Sequence, residues 1–234
     1  MDRIKLPPRL AAIAALVPFG ARLADVGTDH GLLPLFLLRE NRISSAVATD
    51  IRPGPLSRAE SNAEALGENR LRCVLCDGLS GLPAGAADTV VIAGMGGENI
   101  AQILRAAPWT HTGTLLLLQP MSRPEELRSA LIEMQIKINR ELLVRDAGRI
   151  YPILCARGGT PAPHSRAELL TGRYELVSGE PLFVPALEEW IRRLDASLRG
   201  LEKSAKPEDQ SRLAALRQIR REIEEMRDKN ADSI

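Results

Sequence analysis

Residues 22–34 read RLADVGTDHGLLP. An apolar run stops at Asp25, Gly27 turns the chain, and Gly31 opens a helix-like stretch. Open α/β sheets bind ligands at the carboxyl ends of their strands, and the first strand-to-helix turn supplies the floor. These glycines do not fit the dinucleotide pattern G-x-G-x-x-G, because Thr28, Asp29 and His30 lie between them. Asp25 and Asp29 also set negative charge where a pyrophosphate would sit. A tight turn capped by an aspartate accounts for these residues. A ligand with a cationic centre and no phosphate accounts for them equally well.

Three further segment ends extend the pattern. SAVATD stops at Asp50, 23 residues beyond Gly27, near the spacing at which nucleoside-binding folds set an acid against ribose hydroxyls. Cys76-Asp77-Gly78 closes the next apolar run. Its carboxylate suits an adenine amino group, and Asp77-Gly78 also suits a plain turn. VVIAGMGGENI then places Gly94, Gly96 and Gly97 after a fourth run, where missing side chains let a planar group approach the backbone. No G-x-x-x-x-G-K-[ST] loop is present, which argues against a nucleotide triphosphatase. S-adenosylmethionine matches acidic segment ends without a phosphate loop: its sulfonium and ammonium are cationic and its ribose donates hydrogen bonds. His30 either touches substrate or caps a helix. His111 and His164 lie in loops and receive no role, and no Ser-His-Asp order stands out.

The elements that must hold these residues alternate. Apolar runs end near Gly27, Asp50, Cys76 and Ala93, and GTLLLLQ follows. Helical periods intervene over LLPLFLLRE, 56–66, 98–106 and 124–134, the last with Glu125 and Glu126 in its first turn. Two more strand-like segments lie near 141–145 and 150–156. Such runs mark a parallel sheet buried on both faces, so the expected class is α/β, a doubly wound Rossmann-like sheet. The composition shifts at GGTPAPHS, which reads as a linker and sets expected domains at 1–158 and 159–234. Leu187, Trp190, Ile191, Leu194, Leu198 and Leu201, then Leu213, Leu216, Ile219, Ile223 and Met226, recur at helical steps on either side of Pro207. These predict an antiparallel, coiled-coil-like helical hairpin. From Ala186 onward 11 basic and 11 acidic residues alternate, a pattern of solvated faces rather than a simple phosphate-binding stripe.

Composition narrows the partners. Net charge is +1, from 31 basic and 30 acidic residues, so any nucleic acid binding needs a local patch. No apolar run approaches the ~20 residues of a membrane span, so no membrane partner is expected. Pro7 and Pro8 interrupt the N-terminal apolar stretch, which reads as a first amphipathic helix rather than a secretory signal. Three cysteines fit a reducing cytoplasm. Cys73 and Cys76 form a CxxC on a strand-like run, with no second pair and no nearby histidine. Zinc sites mostly need four ligands, so no metal is expected. A monomer is the expected state.

ADVGTDHGLLP, Asp50 followed by Gly54-Pro55, Cys76-Asp77-Gly78-Leu79, IAGMGGENI and LLLLQP together resemble the bacterial tRNA (adenine-N1)-methyltransferases that modify adenine 22. The resemblance covers nearly the whole chain and implies a class I methyltransferase domain followed by a helical hairpin. It implies S-adenosyl-L-methionine as cofactor and tRNA as partner. By this resemblance Asp25, Gly27, Thr28, Asp29 and His30 line the methionine side of the cofactor. Asp50 with Ile51 serves the ribose, Asp77 and Gly78 the adenine, and Ala93, Gly94 and Met95 approach from the fourth strand end. Gly94 to Gly97 replace the Asn/Asp-Pro-Pro-aromatic motif of other amino-directed methyltransferases, and only 3% of residues are aromatic, so base stacking must come from elsewhere or be weak. Asp29, Gly94 and Met95 are the expected catalytic residues. Asp29 is expected to stabilise the positive charge that develops on adenine. Arg9, Gly96, Gly97, Gln119 and Pro120 are the expected substrate contacts, and an Arg3-Lys5-Arg9 face is expected to help the hairpin position tRNA. Other readings of the same residues are a methyltransferase for a small molecule or protein, and a non-catalytic tRNA-binding protein.

Overall fold

The computed structural model describes residues 4–202 and 207–231. The chain divides into two compact units, residues 1–162 and 163–234. The first is built on one sheet. Its strands are β1 (Ala21–Val26), β2 (Ile43–Asp50), β3 (Leu71–Leu75), β4 (Thr89–Gly96), β5 (Leu115–Ser122), β6 (Ile136–Asp146) and β7 (Arg149–Gly158). They lie in the order β3-β2-β1-β4-β5-β7-β6. The order reverses between β1 and β4, which is the switch point where such sheets bind ligands. Helices α1 (Pro8–Leu16), α2 (Leu32–Arg39), α3 (Pro53–Ala65), α4 (Gly97–Arg105) and α5 (Pro124–Glu133) flank the strands.

Burial explains the apolar runs. Val90, Val91 and Ile92 of β4 and Leu116, Leu117 and Leu118 of β5 are wholly buried, as expected of central strands covered on both faces. Edge strand β3 is half-buried and shows no such run. The doubly wound core is as the sequence predicts, but the sheet is not parallel throughout. β7 runs antiparallel to β5, and β6 antiparallel to β7. The cause is local: Ala147 and Gly148 both have positive φ, +47° and +78°. A two-residue loop with that geometry folds the chain back as a tight hairpin and leaves no room for a crossover helix.

Two contacts fix this added hairpin. The Arg128 side chain of α5 donates to Glu141 of β6 from Nε at 3.0 Å and from Nη2 at 2.7 Å, with both side chains fully buried. On the other side α1 packs against β6 and β5. Pro8 opens α1, where its missing N–H costs nothing, and Ile13 is fully buried.

The second unit is helical: α6 (Arg166–Thr171), α7 (Tyr174–Val177), α8 (Phe183–Leu201) and α9 (Pro207–Ala231). Ser165 and Glu168 form a reciprocal capping box on α6. α8 and α9 are antiparallel, since Arg217 bonds Glu202 at 2.8 Å while Arg220 reaches back to Asp195 at 2.6 Å. The α8 stripe of Leu187, Ile191, Leu194 and Leu198 is buried as predicted. Trp190 is not in it: its ring lies half-buried beneath the Arg193 guanidinium, 5.0 Å from the centroid.

Candidate active site

A cavity of about 900 Å3 opens at the carboxyl ends of β1, β2 and β4. In-register pairing brings the ends together: Asp25 lies opposite Ala48 on one side and Val91 on the other. Asp25 is buried, and the Thr28 hydroxyl donates to its Oδ2 at 2.6 Å. Burial pushes the Asp25 carboxyl up to about 6, outweighing the lowering effect of that hydrogen bond. Gly27 takes φ +70°, and the Met95 methyl occupies the space a Cβ on it would need.

Asp29 lines the same cavity at φ +49°. Its side chain is 68% exposed, and Oδ2 lies 3.7 Å from His30 Nε2. The desolvated carboxylate is therefore Asp25 rather than Asp29. Water screens a charge at Asp29 far more strongly.

Asp50 is buried at the end of β2, where its Oδ1 accepts the Arg52 N–H at 2.8 Å. Ile51 stands 64% exposed beside it on the cavity wall. Asp77 and Gly78 complete this side. Thr49 Oγ1 donates to the Gly78 carbonyl at 2.8 Å, and a Cβ on Gly78 would come within 2.8 Å of Ile103 on α4. Gly78 thus lets the β3 turn close against α4.

At the end of β4 the ladder breaks. Ala93 pairs with Gln119 and Met95 with Pro120, so Gly94 is the extra residue of a bulge. Gly94 has φ +80°. Its N–H reaches the Gln119 side chain, Oε1 at 3.2 Å, and the same oxygen accepts Arg9 Nη1 at 2.9 Å. Ala93, Gly94, Met95 and Arg9 line the cavity.

Four expected contacts lie elsewhere. Gly96, Gly97, Gln119 and Pro120 do not line the cavity. Gly97 is glycine because a Cβ would strike the Arg123 carbonyl where α4 starts against the loop before α5. Gln119 is wholly buried, and its amide nitrogen donates to the Pro120 carbonyl at 2.9 Å. Arg9 is turned inward, with Nε on Asp146 Oδ2 at 2.7 Å and a side chain only 23% exposed, so it contributes little to an outward basic face. Arg3 lies outside the described residues.

Sequence reasoning missed the cavity-facing side of α4 and its C-terminal end. Asn99, Gln102, Ile103 and Ala106 line the cavity, while Ile100, Ala101 and Leu104 are buried. The signal was present in their three- and four-residue spacing. Arg52 and Ser80, two residues beyond Asp50 and three beyond Asp77, were missed too. His111, which ends a short 3-10 helix (Pro108–His111) rather than lying in a loop, has Nε2 2.9 Å from the Leu104 carbonyl and ties that turn to α4. Burial raises the Cys73 thiol to about 11, with Glu60 adding to it, so this cysteine is protonated at neutral pH. Among the described residues no group of three His, Cys, Asp or Glu is arranged to hold a metal, and no helix is long and apolar enough to cross a membrane.

A family model for a methyltransferase domain matches residues 6–154, which contain every strand end of the cavity. The tRNA (adenine(22)-N(1))-methyltransferase of Bacillus subtilis strain 168 is 35% identical over 161 residues, 68% of each chain. The chain belongs to this tRNA adenine-N1 methyltransferase family. The family resemblance extends through the fold. The crystal structure of the B. subtilis M1A22 tRNA methyltransferase TrmK superposes with a TM-score of 0.85 at 26% identity, covering 96% of this chain and 99% of that one. A putative tRNA (m1A22) methyltransferase of Streptococcus pneumoniae, Sp1610, solved in complex with S-adenosyl-L-methionine, gives 0.81 at 29% identity, covering 94% and 98%.

Proposed function

We infer that this protein methylates N1 of adenine 22 in tRNA, with S-adenosyl-L-methionine as the methyl donor. The observation that carries the reading is the acidic lining of one switch-point cavity, Asp25, Asp29, Asp50 and Asp77, in a chain of this family. The residues fit the cofactor. Asp25 is a buried carboxylate with no cationic partner among the described residues, suited to an ammonium or sulfonium. Asp50 suits ribose hydroxyls, and Ile51 offers an apolar wall beside them. Asp77 and Gly78, facing α4, suit an adenine ring.

When bound, the cofactor supplies an electrophilic methyl group on a cationic sulfur. Adenine N1 carries an in-plane lone pair and needs no general base. The protein's part is orientation and a negative field for the positive charge that grows on the base. Asp25 and, in weaker measure, the exposed Asp29 supply that field. Gly94 and Met95, on the bulge, form the wall the base approaches, and Arg9 closes it from α1. The target must leave its stack to reach them.

In this reading residues 1–158 form the cofactor-binding domain and 159–234 the linker and helical hairpin, which supports recognition of tRNA shape. A cavity lined entirely by residues of the first unit supports a monomer. Three unpaired cysteines support a reducing cytoplasm as the working compartment.

The deciding experiment is methyl transfer from labelled cofactor to unmodified tRNA transcripts with and without adenine at position 22. Label is expected at N1 in the first transcript alone. Equal label in both, or none in either, overturns the assignment.

A further inference from the structure

A buried glutamine needs a reason, because an amide group left unpaired in a core loses its hydration without replacement. Gln119 is wholly buried, yet its hydrogen bonding is complete. Oε1 accepts from Gly94 N–H at 3.2 Å and from Arg9 Nη1 at 2.9 Å. Nε2 donates to the Pro120 carbonyl at 2.9 Å and lies 3.6 Å from Met121 Sδ. Nothing remains to offer a substrate. The two groups on Oε1 are both cavity residues, and they come from different elements, β4 and α1. Gly94 is the residue that the bulge removes from the β4–β5 ladder, so its N–H needs another acceptor. Arg9 comes from α1, drawn inward by Asp146 at the far end of β6 and held over the Tyr151 ring at 5.9 Å from its centroid. Its remaining N–H groups have no protein acceptor among the described residues, and it lines the cavity.

We propose that Gln119 is a positioning residue whose single amide oxygen locks the Gly94 bulge and the Arg9 guanidinium to each other, so that both present one fixed wall to the target base. The proposal rests on the methyl-transfer reading for its consequence, not for its geometry. A wall out of place by an ångström costs on the order of 100-fold in rate, while the acidic strand ends that hold the cofactor are untouched.

The test compares Gln119→Leu, which removes the acceptor, with Gln119→Glu, which keeps an oxygen for both donors. Gln119→Leu is expected to lower kcat on tRNA by roughly 10- to 100-fold with cofactor Kd changed by less than about threefold, and Gln119→Glu to recover most of kcat. An unchanged kcat, or a cofactor Kd that weakens in step with it, overturns the proposal. A second readout is independent of activity. Arg9→Met is expected to shift the Gly94 amide NMR resonance, and to shift it clearly less in Gln119→Leu than when Gln119 is present. An equal shift in both backgrounds overturns the coupling. If Gln119→Leu does not fold, Gln119→Glu and Asp146→Asn take its place: Asp146→Asn, by loosening Arg9, must move the Gly94 resonance, and no movement overturns the lock. A coupled resonance in a protein that leaves tRNA unmethylated would refute the functional reading and leave the lock standing.

Discussion

The Thr28 hydroxyl donates to Asp25 Oδ2 at 2.6 Å, inside the turn that follows the first strand. It is a modest partner for a buried carboxylate, and the Asp25 carboxyl stays near 6. The folded value lies above the ordinary 3.8, so the native state holds the proton more tightly than the unfolded chain between those values. Stability of the free protein is therefore expected to fall as pH rises from about 4 to about 6, by up to roughly 3 kcal/mol, and then to level off. A cationic cofactor reverses the preference. Its affinity is expected to drop by up to about tenfold per pH unit below 6. Asp25→Asn should bind cofactor weakly at every pH, without that slope, and be more stable than wild type at pH 8. Calorimetry from pH 5 to 8 checks the first, and thermal melts check the second.

Asp50 presents a buried carboxylate one of whose oxygens is already steadied by the Arg52 N–H. Asp50→Ala is expected to weaken cofactor binding by about 1.5–3 kcal/mol, the worth of hydrogen bonds to a charged group. Affinity for tRNA in the absence of cofactor should change little. Titration of each ligand separately measures both.

Gly27 and Gly97 refuse a side chain for different reasons. Gly27→Ala meets the flexible end of Met95 and an unfavourable φ, a cost of about 1–3 kcal/mol. Met95→Ala should relieve only the contact. Gly97→Ala meets the Arg123 carbonyl, which is backbone and has no such freedom, so the larger loss is expected there. Denaturant unfolding of the three single variants and the Gly27/Met95 double variant ranks them.

Arg128 and Glu141 illustrate the asymmetry of buried ion pairs. Glu141→Leu alone leaves a buried guanidinium without its carboxylate and is expected to cost about 3–5 kcal/mol. Arg128→Met with Glu141→Leu should regain most of that loss. A double-mutant cycle in urea reads the coupling.

The core and the acidic strand ends were legible because each carries a period or a terminator: runs of apolar residues, then an aspartate and a glycine. The antiparallel strands were legible as strands but not in direction, which Ala147 decides by adopting a positive φ that alanine disfavours. The division of labour within AGMGG was also hidden. Gly94 lines the cavity, while Gly97 answers to Arg123, a residue 26 positions on. Arg9 and Gln119 were picked out as substrate contacts, yet their partners Asp146 and Gly94 become visible only when strands distant in sequence are laid side by side. Trp190 has helical spacing but sits at the margin of its stripe, where Arg193 covers it.

The clasp between Arg9 and Asp146 spans 137 residues of chain. A ribosome adding about 5–20 residues per second needs on the order of ten seconds to make the second partner after the first. Through that interval the acidic pocket of β1, β2 and β3 has been synthesised, while the Arg9 that closes its substrate side still lacks its Asp146 partner. The clasp therefore gives the catalytic wall a birth order: the cofactor's end of the cavity can form on the nascent chain first, and the RNA's end last.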